Sequence, residues 1–187
     1  MYRLSDAQYE FIKEEVVNLF EHQNVNCIPI NGFELAYKLG IRIIPYSALS
    51  VKQKEACMMA SPDGIFLETK SEERIYLNDE KASENFARIN MTILHEIAHD
   101  VLGHSGKKEY AEREESEANF FAKYASAPPP LVHRLLLPSP HSIQKAFCIS
   151  TSASQNAYNY YLKWLRYGKS KNHPYEIKLL QLFPVIA

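Results

Sequence analysis

The run His95-Glu96-Ile97-Ala98-His99 places two imidazoles four residues apart, with a carboxylate beside the first. On a helix, positions i and i+4 share a face with their Cβ atoms about 5–6 Å apart, so both rings can converge on one small cation. Zinc suits such a pair, because it takes neutral imidazole nitrogens at about 2.0–2.1 Å in a tetrahedral shell. Glu96 lies about 100° round the helix from His95. That angle is poor for ligating the same ion and good for reaching a water beside it. A metal, a water and a base are the parts that amide hydrolysis needs.

A third ligand must come from elsewhere. In Glu115-Ser116-Glu117-Ala118-Asn119, residues Glu115 and Asn119 are again i and i+4. The Glu115 carboxylate would complete a two-His, one-Glu shell and leave a fourth position open. The Asn119 amide is then expected to accept from the second ring N–H of a ligand histidine. Ala118 and Ala122 are small enough to let two helices approach. Glu112, Glu114 and Glu117 are rivals for the ligand role, although charge runs are usually solvated faces. His104 is a further candidate, five residues past His99. A related zinc pattern puts its third histidine six residues past the second, with a glycine halfway. Here Leu102 and Ser105 occupy those positions, so the register fails, and His104 is expected on the surface or behind a ligand. The bland alternative is a helix with two histidines packed in a core.

The elements that must position these groups are an α+β set. Ser5 with Gln8 forms a capping box, and Tyr9, Ile12, Val16 and Phe20 follow at helical spacing. Asn31 with Glu34 opens a second helix that Gly40 stops. Ile41, Ile43 and Ile44 before Pro45 read as a strand. Met58-Met59, the turn Pro62-Asp63-Gly64, and Ile65-Phe66-Leu67 read as a hairpin. Arg74-Ile75-Tyr76-Leu77-Asn78 alternates as a half-buried strand should. The expectation is a small, mainly antiparallel sheet of three to four strands, packed on a mostly helical domain. After Asn78 all patterns are helical. Phe86, Ile89, Ile93, Ile97 and Val101 define a long buried helix ending near Gly103, and a second spans roughly residues 110–125 until Pro128-Pro129-Pro130. A linker around Pro138 and Pro140 leads to Ile143–Phe147, a turn at Cys148-Ile149-Ser150, a longer helix to Gly168, and a short helix after His173-Pro174. The division expected is residues 1–130 as the metal-bearing domain and 131–187 as a helical subdomain with a helix-turn-helix look.

Composition narrows the class. The chain has 187 residues and a formal charge of −1 from 21 basic and 22 acidic side chains. No broad cationic field exists to hold a nucleic-acid backbone, so nucleic acid is an unlikely partner. Cys27, Cys57 and Cys148 show neither a CxxC spacing nor an even count, which points to reduced thiols and a cytoplasmic protein. The opening residues carry no apolar leader, and no stretch approaches the roughly 20 apolar residues of a membrane helix.

Residues Arg88 to His99 and on through Gly103-His104, then Glu115-Ser116-Glu117-Ala118-Asn119-Phe120-Phe121-Ala122 and Pro128, resemble the ImmA/IrrE family of metallopeptidases. The family pattern is R-x-x-F-T-x-x-H-E-x-x-H followed by E-x-x-A-N-x-F-A-x-x-L-L-M-P. The resemblance is specific from about Ile75 to Pro128. It is weaker at Leu35-Ala36-x-x-Leu39-Gly40-Ile41 and at Phe147-Cys148-Ile149-Ser150. Two departures are Ala125-Ser126-Ala127, in place of a bulky apolar run, and Cys148, in place of a glycine. The resemblance implies a cytoplasmic endopeptidase with one Zn2+ per chain on His95, His99 and Glu115 and with Glu96 as catalytic glutamate. It further implies that the substrate is a helix-turn-helix transcriptional repressor, whose cleavage derepresses genes.

On this reading Glu96 takes a proton from the attacking water and passes it to the leaving amine. A second oxyanion donor is expected, with Tyr110, His133, His141 and Tyr158 as candidates. Strand Arg74–Asn78 is either a sheet edge that pairs an extended substrate or an ordinary core strand. The alternative function is a non-catalytic, metal-stabilised regulator that binds a repressor partner or DNA through the Ile143–Gly168 helices. Glu96 discriminates the two, since metal ligation alone does not need it.

Overall fold

The computed structural model describes residues 2–68, 72–80, 86–104, 111–171 and 173–184. The fold is α+β, with a three-stranded sheet among many helices. The described residues group into two compact units: Met1–Leu4 with Asn31–Ala122, and Ser5–Ile30 with Lys123–Ala187. This differs from a division at residue 130. Helix α1 (Asp6–His22) belongs with the C-terminal helices. Its apolar stripe Ile12, Val16 and Phe20 is buried, and the Phe20 ring meets that of Phe183 edge-on at 5.9 Å. No helix among the described residues is long and apolar enough to cross a membrane.

In the first unit, helix α2 (Gly32–Leu39) starts where Asn31 Oδ1 accepts from the Phe33 and Glu34 N–H groups. It ends at Gly40, whose φ of +79° a side chain would resist. Strand β1 (Arg42–Pro45) follows, and a 3-10 turn leads to helix α3 (Val51–Ala60). Met58 and Met59 are therefore helical, not the first arm of a hairpin. Helix α3 is held at its start by the Ser50/Gln53 capping box and buries none of its residues, so no apolar period announced it. The hairpin is instead β2 (Gly64–Glu68) with β3 (Glu73–Leu77).

The strand order is β1-β3-β2, with β1 parallel and β2 antiparallel to β3. The sheet is thus mixed rather than mainly antiparallel, because helix α3 intervenes between β1 and the hairpin. The alternation of Ile75 and Leu77, both buried, fits the half-buried pattern expected of residues 74–78. That strand is the centre of the sheet, however. Both its edges are paired, so it cannot take an extended substrate.

Helix α4 (Phe86–Val101) carries the histidine motif and packs on β2 and β3. Ile93, Leu94, Ile97 and Ala98 are fully buried, whereas Phe86 at the start of the expected stripe is exposed. Two polar contacts fix the helix to its surroundings. Asn90, buried, accepts the N–H of Gly32 at 2.6 Å, satisfying a donor that the first turn of α2 leaves open. Arg88 pairs with Asp63, just before β2, at 2.6 Å. Helix α5 (Glu112–Ser126) closes the unit, with Ala118 and Ala122 fully buried.

In the second unit, the triple proline starts a helix as well as ending one. Helix α6 (Pro129–Arg134) uses prolines in its first turn, where no N–H is missed. Helices α7 (Pro140–Phe147) and α8 (Thr151–Tyr167) form the two-helix unit expected from sequence, joined at Cys148, and α9 (Pro174–Leu182) packs on α1. Two acids anchor this unit: Glu10 accepts from the Tyr175 hydroxyl, and Glu176 from Trp164 Nε1 at 2.6 Å.

Two stability outcomes follow. Asn90→Ala leaves the Gly32 N–H buried without its acceptor and should cost about 1–3 kcal/mol in denaturant unfolding. An effect within 0.3 kcal/mol, on the order of surface substitutions, would show that contact to be idle. Cys148 holds φ +52°, where a Cβ costs roughly 1–2 kcal/mol. Cys148→Gly should therefore raise the melting temperature, and a lower one would show that the cysteine side chain is needed for packing.

Candidate metal centre

Helix α4 brings His95 and His99 onto one face, and helix α5 sets Glu115 opposite them. The two Nε2 atoms are 3.1 Å apart. Glu115 Oε2 lies 3.4 Å from His95 Nε2, and Oε1 lies 3.6 Å from His99 Nε2. Among the described residues these three form a group able to hold a metal ion. A tetrahedral cation with ligands at about 2.0–2.1 Å requires ligand atoms about 3.3–3.4 Å apart. The observed triangle has that size. His99 is 1% exposed, His95 18% and Glu115 45%, so the group is closed at the core side and open at the other.

The electrostatics suit a cation. Burial pushes the His99 imidazolium down to about 3, and neighbouring His95 adds to that shift, so the ring stays neutral with a lone pair to give. The hydrogen bond to His95 holds the Glu115 carboxyl below its usual range, keeping it charged. These are the protonation states that metal ligands need.

Of the rival carboxylates, Glu114 accepts from the Ala111 N–H, and Glu117 faces His104 and Arg113. Glu115 is the one brought to the histidines. Asn119 Nδ2 donates to the Glu115 carbonyl at 2.7 Å, back along its own helix. The partner at the far nitrogen of His99 is His104, whose Nδ1 is 3.1 Å from His99 Nδ1. Gly103 explains the placement. With φ +69° it ends α4, its N–H bonding to the Asp100 carbonyl and the His104 N–H to that of His99. This paired helix stop folds the residue after the glycine back over the last turn. His104 is not one of the converging three and lands behind His99.

Glu96 is 5% exposed, and its Oε2 accepts the backbone N–H of Phe66 at 2.8 Å. The Asn78 N–H bonds to Asp63, which makes 65 and 67 the residues bonded to β3 and turns the Phe66 N–H outward. The sheet thus holds Glu96 through edge strand β2. Burial raises the Glu96 carboxyl to about 7, with the Glu115 charge adding and both His95 and the Phe66 N–H opposing. The sequence marks Phe66 as a strand residue, but a main-chain donor has no residue-type signature.

Of the expected oxyanion donors, Tyr110 lies outside the described residues. His133, His141 and Tyr158 belong to the second unit, where His133 Nδ1 sits 3.0 Å from the Tyr161 hydroxyl.

No family model matches the chain, and no curated protein or solved structure matches it.

The chain is expected to take up about one equivalent of divalent metal, measured by elemental analysis. His95→Ala or His99→Ala should abolish uptake and Glu115→Ala should weaken it. Saturating metal at about 1,000 times its dissociation constant adds about 4 kcal/mol, so chelation should lower the melting midpoint by several degrees. Identical midpoints, or full uptake by Glu115→Ala, would contradict this ligand set.

Proposed function

We propose that this protein is a zinc-dependent endopeptidase in which His95, His99 and Glu115 hold the ion and Glu96 is the general base. The observation that carries the reading is the position of Glu96. A buried carboxylate follows a ligand directly in the chain, is not one of the converging three, and is aimed by an N–H of the sheet. Metal ligation by itself gives no reason for it. A divalent cation bound here would supply Lewis acidity, polarising a scissile carbonyl and lowering the pKa of water toward about 7. Glu96 then removes a proton from the attacking water and delivers it to the leaving amide nitrogen. With Oε2 held by Phe66, Oε1 is the oxygen left to carry that proton. A carboxyl raised by burial toward neutral pH is suited to both the taking and the giving.

The substrate part of the proposal rests on the sequence resemblance to ImmA/IrrE peptidases and not on any surface of this chain. A helix-turn-helix repressor encoded beside the gene is the protein to test.

Glu96→Gln preserves shape but cannot accept a proton. Positioned proton transfer is worth about 10²–10⁴-fold. The variant should keep its metal and its affinity for the repressor, yet lose at least about 100-fold in cleavage, followed by mass spectrometry of the repressor. In cells the repressed genes should stay silent. If Glu96→Gln switches them on as well as the parent does, the protein acts by binding and not by proteolysis.

A further inference from the structure

We infer that His104 and Glu117 are positioning residues that fix the proton of His99 on Nδ1 and so leave its Nε2 lone pair for the metal; this rests on the metal centre proposed above. The observation is a line of three contacts running away from the centre. His99 Nδ1 is 3.1 Å from His104 Nδ1, His104 Nε2 is 3.0 Å from Glu117 Oε2, and Glu117 Oε1 accepts from Arg113 Nε at 2.8 Å. His99, His104 and Glu117 are all buried, at 1%, 5% and 7% exposure.

An ion on His99 Nε2 leaves that ring's proton on Nδ1, so the His104 nitrogen it meets must accept, and only one placement of protons then satisfies the line. A carboxylate can only accept. It therefore selects the Nε2–H form of His104, whose Nδ1 must then be an acceptor. That acceptor in turn selects the Nδ1–H form of His99. The reverse order would set a bare His104 nitrogen against a carboxylate oxygen and would put a hydrogen on the His99 nitrogen that faces His95 and Glu115. The charge of Glu117 thus reaches the ion's ligand through a ring. A carboxylate behind a ligand histidine fixes its tautomer and makes it more basic, and loss of such a group commonly weakens metal binding by about 10–100-fold.

Two features make the line more than packing. Burying a carboxylate is costly unless it is paired and hydrogen-bonded. Glu117 is placed so that one oxygen meets the ring and the other meets the guanidinium of a largely exposed arginine. In addition, the ring reaches its place only because Gly103 turns the chain back there.

The test uses the full chain labelled with 15N-histidine, zinc ion and a chromophoric chelator. Long-range 1H–15N spectra of the metal-free parent should show His99 protonated on Nδ1. In Glu117→Gln the amide can accept from or donate to His104, so the selection is lost. His99 should then show both forms, and zinc affinity by chelator competition should fall about 10–100-fold, while the metal-free melting midpoint changes little. Finding His99 protonated on Nε2 in the parent overturns the inference without any variant. Zinc bound within twofold equally by parent and Glu117→Gln overturns it while leaving the metal centre intact. A parent that binds no zinc overturns the metal centre itself.

Discussion

Three hydrogen-bond acceptors that converge within 3.1–3.6 Å need something positive between them. Two imidazole nitrogens and a carboxylate pointed at one spot repel through their lone pairs unless a proton or a cation occupies it. A proton satisfies one pair, whereas a cation satisfies all three and tolerates a fourth partner. The surroundings favour the cation. His99 is buried where an imidazolium is disfavoured, and Glu115 is held in its charged form. The rest of the first unit can be understood as the means of holding this convergence in place.

The scaffold does so with few contacts of different kinds. Asn90 ties α4 to the start of α2, and Phe66 ties Glu96 to the sheet. Gly103 stops α4 with a left-handed residue and sends His104 back behind His99. Of the polar groups on α4, His95 and Glu96 face different neighbours because one residue is 100° of rotation. A single five-residue run therefore supplies two members of the converging group and a carboxylate held by the sheet.

Much of this was legible in the sequence, and for a physical reason. Ligand pairs at i, i+4 depend on helix geometry alone, so His95 and His99 could be placed together before any tertiary structure was known, whereas Glu115 lies on another helix, where Glu112, Glu114 and Glu117 were rivals. Helix ends were legible where a side chain or a glycine makes them, at Ser5, Asn31, Gly40 and Gly103. Helix α3 was not, because it buries nothing and so carries no apolar period. The place of residues 74–78 was left open between edge and core because alternation reports a half-buried strand and not its neighbours in the sheet. His104 was expected on the surface or behind a ligand, and its contact with His99 could not be read from spacing. Spacing counts residues along a continuing helix, and the chain turns at Gly103. The pairing of α1 with α9 is long-range, and no local signal announces it.

The central claim is that one divalent cation sits among His95, His99 and Glu115. Anomalous X-ray scattering at the zinc edge, from crystals grown with zinc, tests it most directly. One strong peak per chain is expected, within about 2.0–2.2 Å of both Nε2 atoms and a Glu115 oxygen. A zinc-saturated crystal with its peak on other residues, or with none at this triangle, would contradict it.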